Sequence, residues 1–172
     1  MTPAPIILVM GVSGAGKTTI ASQLAERLGW AFLDADDLHP PANHAKMARG
    51  EPLDDEDRRP WLAAVSNWMQ TRQRGGAPAV VACSALKRAY RDRLRRGVEG
   101  LAIVFIQAAP QLLAERLARR SGHFMPPSLL ASQIEALEPP APDETVIVVQ
   151  AGQTPEQIVA RVLEWVGDQP SA

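Results

Sequence analysis

The stretch Gly11-Val12-Ser13-Gly14-Ala15-Gly16-Lys17-Thr18 fits G-x-x-x-x-G-K-[ST] in full, and its surroundings leave little choice of local structure. The apolar run from Ile6 to Met10 precedes it, and Ile20, Leu24 and Leu28 follow at helical spacing. Strand, glycine-rich loop and helix in that order make a phosphate cradle. The glycines let backbone N–H groups converge on phosphate oxygens, and the positive end of the helix dipole adds to the attraction. Lys17 is placed to reach the β- and γ-phosphates and Thr18 to ligate Mg²⁺, so Gly11 through Thr19 are the expected nucleotide contacts.

The rest of the chain alternates strand and helix patterns from that start. Apolar runs at 31–33, 79–83, 101–106 and 145–150 read as four further strands, with helical patterns between them and over the last stretch to about 166. Such alternation predicts an α/β three-layer sandwich: a five-stranded parallel sheet, right-handed crossovers and helices on both faces. At 172 residues the chain is expected to form one domain. Trp61, Val65, Trp68 and Met69 share a helix face and read as core or subunit interface. Ligands of parallel sheets bind at the carboxyl ends of the strands, so the loops at Gly11, Asp34, Ser84, Arg116 and Gln150 are expected to share one rim.

Composition limits what that rim can bind. A net charge of -1 provides no broad attraction to nucleic acid or an anionic membrane, which favours a small anionic ligand met by local cations. No apolar run has the length of a membrane span or a signal segment, and the single Cys83 rules out an intrachain disulfide and a cysteine-cluster zinc site. A cytoplasmic protein is the expectation. His39, His44 and His123 lack metalloprotease spacing. Of the 18 basic residues only Lys17, Lys46 and Lys87 are lysines; Lys17 fits a position that wants a compact ammonium, while for Lys46 and Lys87 that reading and chance both stand open.

Phosphoryl transfer needs an acid near the metal and the acceptor. The third and fourth strands end in Cys83-Ser84 and Gln107-Ala108-Ala109, without a carboxylate, so the acid comes from elsewhere. Asp34 and Asp36, two apart after the second strand, are expected to point to one side. Asp36 is the favoured base and water-mediated metal ligand, and Asp34 is either its partner or a helix cap. Arg116, Arg119 and Arg120 share a helix face before a proline-bounded excursion, which reads as a helical lid over about 116–140. Arg120 is expected to act on the transferring charge and Arg116 to stack on the adenine of ATP.

The residues also resemble a known family. Met10-Gly11-Val12-Ser13-Gly14 through Thr18, Phe32-Leu33-Asp34-Ala35-Asp36-Asp37-Leu38-His39-Pro40, Lys46-Met47-Ala48-Arg49-Gly50-Glu51-Pro52-Leu53, Asp57-Arg58-Arg59-Pro60-Trp61-Leu62, Cys83-Ser84-Ala85-Leu86-Lys87 and Gly122-His123-Phe124 are together similar to the P-loop gluconokinases. The likeness runs from residue 6 to about 166, with Ala35 standing where that family commonly has glycine. It implies ATP- and Mg²⁺-dependent phosphorylation of D-gluconate to 6-phosphogluconate on a shikimate-kinase-like fold, often in a homodimer. The charge pattern agrees with such an acceptor: Arg49, Arg58, Lys87 and Arg91 lie beside Asp36 and His39 in the expected rim. Lys87 and Arg91, four apart, are expected to share a helix face and hold the carboxylate. Another small-metabolite kinase of this fold, such as a shikimate kinase, and a nucleotide-binding switch are the alternatives. The absent N-K-x-D motif argues against the switch.

Overall fold

Every residue of β1 (Ile6–Met10) is buried, as befits a strand covered on both faces and paired on both edges. A computed structural model of the chain describes residues 2–119 and 127–169. In it β1 is central to an all-parallel sheet of order β2-β3-β1-β4-β5, whose other strands are β2 (Ala31–Asp34), β3 (Ala79–Ala82), β4 (Ala102–Gln107) and β5 (Val146–Gln150). The predicted sheet is thus observed, with strand ends shifted by a residue or so.

Period-two alternation divides β1 between two cores. Ile7 and Val9 pack with Ile20 and Leu24 of α1 (Lys17–Leu28) and with Ile158 and Val162 of the last helix, α7 (Pro155–Asp168). Ile6, Leu8 and Met10 face Trp61, Val65 and Met69 of α3 (Asp55–Arg74) and Leu94 of α4 (Arg88–Arg95). Leu113 of α5 (Pro110–Arg119) and Leu130 of α6 (Pro127–Ala136) join the first of these cores, and α2 (Pro41–Ala48) follows the turn after β2. Trp61 and Met69 are core residues as expected.

Two helix starts matter for the site. A capping box at α3, in which Asp54 and Asp57 each accept the other's backbone N–H, fixes how the chain enters that helix. Helix α4 starts only at Arg88, because the chain first makes a turn in which Ala85 takes φ 45, a conformation rare for a residue with a side chain. Arg91 holds that turn by donating to the carbonyl oxygens of Ala85 and Leu86.

Candidate active site

The loop after β1 curls through Gly14 at φ 85 and Gly16 at φ 104, values open to glycine and strained for other residues. It is held from behind. Arg116 of α5 donates from Nη1 to the carbonyls of Gly14 (3.0 Å) and Ala15 (3.2 Å), and from Nη2 to the carbonyl of Ala151 after β5 (2.6 Å). Arg116 thus ties two carbonyls of the loop to the end of β5. Lys17 opens α1 and donates from Nζ to the Val12 carbonyl at 3.1 Å. Beside the loop, Thr19, Arg116, Arg119 and Gln153 border an open groove of about 290 Å³.

The acids after β2 part company. The chain leaves the extended conformation at Ala35 and makes a 3-10 turn over Ala35–Leu38, so the one-sided pairing expected from two-residue spacing is not formed. The Thr18 hydroxyl donates to Asp34 Oδ2 at 2.9 Å, and Asp34 Oδ1 caps the turn by accepting from the Asp36 N–H at 3.0 Å. Asp34 is therefore the cap of this turn, one of the two readings open to it, and its other oxygen meets the P-loop hydroxyl. Asp36 instead lines a cavity of about 90 Å³ together with Ser13, Lys17, His39, Arg58 and Trp61. Burial pushes its carboxyl above the usual carboxylate range against the pull of the Lys17 ammonium, and the charges of Asp34 and Asp37 add to the rise. Two thirds of its side-chain surface still faces open space, where an acceptor can reach it. Cys83, next to this cavity, is no nucleophile: burial pushes its thiol up to about 12.

The expected cations divide likewise. Arg58 lines the cavity, donates to the Leu53 carbonyl and the Tyr90 hydroxyl, and lies over the Tyr90 ring at 5.4 Å. Lys87 stands in the adjoining groove, 3.4 Å from Asp55 and over the same ring. Arg49 turns outward to Glu51 at 3.3 Å. Arg91 does not join Lys87, and this corrects the shared-face reading. Lys87 is the extended N-cap of α4 rather than a residue within it, and Arg91 is fully buried with Nε and Nη2 on the carboxylate of Glu144 (2.8 and 3.2 Å). Its work is to shape the Ser84–Lys87 turn, from which Ser84 and Leu86 reach the cavity.

Three contributors carried weak sequence signals or none. Trp61, read as core, also walls the cavity and stacks on the His39 ring, with centroids 4.1 Å apart. Asn43, four residues after His39, donates its amide to that imidazole. Gln133 of α6 accepts from the Ser13 N–H at 2.7 Å, covering a P-loop donor with the helix expected to form part of the lid. Arg120 and His123 lie outside the described residues. Among the described residues no group of three His, Cys, Asp or Glu side chains could hold a metal alone, and no helix is long and apolar enough to cross a membrane.

Known proteins similar to this chain are found at the level of both sequence and fold. A family model described as an AAA domain, AAA_33, matches residues 6–140. A gluconokinase of Gluconobacter oxydans (strain 621H) is 50% identical over 157 residues, covering 91% of this chain and 88% of the relative. An unliganded sugar kinase from Janibacter sp. HTCC2649 superposes with a TM-score of 0.93 at 46% identity, covering 98% of this chain and 97% of the other. A gluconokinase from Sinorhizobium meliloti 1021 superposes with a TM-score of 0.82 at 43% identity, covering 98% and 99%.

Proposed function

This chain belongs to the gluconokinase family, and we infer from that premise that it transfers the γ-phosphoryl group of ATP to D-gluconate, giving ADP and 6-phospho-D-gluconate. The observation that carries the reading is the cavity in which Asp36, Lys17 and Arg58 converge: a base, the P-loop ammonium and a cation for an anionic acceptor. In this mechanism Asp36 takes the proton of the acceptor hydroxyl as its oxygen bonds to phosphorus and the bond to the ADP oxygen breaks. Lys17 offsets the charge that develops on the phosphoryl oxygens. Arg58 binds the gluconate carboxylate, with Lys87 at the mouth.

The hydroxyl of Thr18 and the carboxylate of Asp34 suit Mg²⁺, which takes one or two protein oxygens and fills its remaining positions with phosphates and water. Mg²⁺ bound there supplies charge neutralisation for the β- and γ-phosphates. The metal role expected of Asp36 thus passes to Asp34. The groove beside Arg116 suits the adenine, and the lid of α5, α6 and the segment carrying Arg120 is proposed to close on the phosphates and exclude water, the competing acceptor. The proposal includes a cytoplasmic setting, which suits the free Cys83 thiol, and the homodimer implied by the family.

Asp36→Asn keeps the shape and removes the base, so kcat is expected to fall by roughly 10²- to 10⁴-fold with ATP affinity nearly retained. Wild-type turnover in this variant would move the base elsewhere, to Asp34 first. Acceptor choice tests the cations. Glucose lacks the carboxylate and forfeits a charge-assisted contact of roughly 1.5–3 kcal/mol, so gluconate should win by at least about tenfold in kcat/KM. Arg58→Met should shrink that preference strongly and Lys87→Met less, both with the KM for ATP little changed. An unaltered preference in both variants would put the carboxylate elsewhere, with Arg49 next in line.

A further inference from the structure

The buried amide of Asn43, only 4% exposed, decides which nitrogen of His39 carries its proton. Asn43 Nδ2 lies 2.8 Å from the backbone carbonyl of Asp57, which can only accept, so the amide nitrogen and not its oxygen must face it. The same nitrogen lies 3.1 Å from His39 Nδ1 and has a second hydrogen to give. His39 Nδ1 is therefore the lone-pair nitrogen, and the proton sits on Nε2. That Nε2 looks towards Asp36 Oδ1 at 3.9 Å, beyond a hydrogen bond and wide enough for an oxygen atom of another molecule to engage both groups. Trp61, stacked at an interplanar angle of 15°, holds the ring in that orientation.

We propose that Asn43 is a positioning residue that fixes His39 as the Nε2–H tautomer, so that His39 gives a neutral hydrogen bond to a hydroxyl oxygen whose own proton points at Asp36. The proposal rests on the acceptor occupying the cavity lined by Asp36 and His39. A hydroxyl held this way is oriented from both sides, with its proton aimed at the base and its lone pair at the imidazole. The charged and titratable groups around the ring fit a neutral donor. His44 of α2 and Arg58 of α3 both oppose a second proton, and burial, the largest cause, holds the imidazole at about 4. Asp36 of the 3-10 turn faces it, with the Lys17 ammonium beside that acid.

The test is the tautomer, read by long-range ¹H–¹⁵N correlation NMR on the uniformly ¹⁵N-labelled protein without substrate, with the His39 signals assigned by their loss in His39→Gln. Wild type is expected to show a protonated Nε2 and a bare Nδ1, unchanged from pH 7.5 down to pH 5.5, where an ordinary imidazole would be mostly charged. Asn43→Ala frees Nδ1, and the signals should become those of a mixture of the two tautomers. The kcat/KM for D-gluconate should drop roughly three- to tenfold while the KM for ATP holds. A wild-type His39 protonated at Nδ1, or charged at pH 7, would overturn the proposal whether or not the variant folds. So would an Asn43→Ala protein with an unchanged tautomer and unchanged kcat/KM. The expected tautomer in a protein that phosphorylates no sugar acid would support the role of Asn43 and count against the gluconokinase reading alone.

Discussion

Lys17→Ala is expected to lower kcat by at least about 10³-fold while leaving the fold intact. The ammonium heads α1 at the mouth of the phosphate loop and donates to the Val12 carbonyl within the same loop. Its loss removes no core packing, because the apolar residues that hold α1 to the sheet are Ile20, Ala21, Leu24 and Ala25. The melting temperature should therefore stay within a few degrees of wild type. Lys17→Arg should not restore the rate, since a planar guanidinium does not replace a compact ammonium in a loop curled tightly around phosphate. Near-normal turnover in a folded Lys17→Ala protein would refute the assignment of the loop.

The largest expected effect on stability lies away from the phosphates, at Arg91. Its guanidinium and the Glu144 carboxylate are both fully buried, and Glu144 also accepts from Arg95 at 2.8 Å and from the Ala141 N–H at 2.8 Å. Arg91→Met strands that carboxylate with fewer partners, which typically costs about 3–5 kcal/mol. For a chain of this length that corresponds to a melting temperature lower by roughly 6–20 °C. Replacing both partners with methionine should cost less than the sum of the single changes, as a double-mutant cycle would reveal. The acid limb carries a second signature. Burial alone would raise the Glu144 carboxyl, but the hydrogen bonds from Arg91 and Ala141 outweigh it and hold it below its ordinary 4.5. The stability it contributes is thus present above that value and lost as the pH falls through the lowered one, and Glu144→Gln should flatten this loss. If Arg91→Met melts like wild type, the ion cluster does not support the turn at Ala85.

What the sequence reveals and what it hides follow from the range of the interactions. The P-loop, the parallel sheet and the two cores are legible because each depends on a local motif or on a short period of apolar residues. The separate settings of Asp34 and Asp36 are hidden because a 3-10 turn over four residues leaves no periodic mark, and nothing local shows that the extended geometry of β2 ends at Asp34. The place of Arg91 is hidden for a related reason. Four-residue spacing puts Lys87 and Arg91 on one helix face only if the helix includes Lys87, whereas the turn at Ala85 delays its start to Arg88, and the true partner, Glu144, lies 53 residues away. No local rule reaches that far. Asn43 is half legible: it follows His39 by four residues at a helix start, a spacing that permits a contact, but the Asp57 carbonyl that orients its amide comes from another helix.

The most direct test of the account is ATP consumption by the wild-type protein in Mg²⁺ buffer, with and without D-gluconate, with the products identified by ³¹P NMR. The account predicts that consumption depends on gluconate, and that ADP and 6-phospho-D-gluconate appear in equal amounts. Slow ATP hydrolysis at one rate, with or without any sugar acid, would contradict it and point to a nucleotide-binding switch.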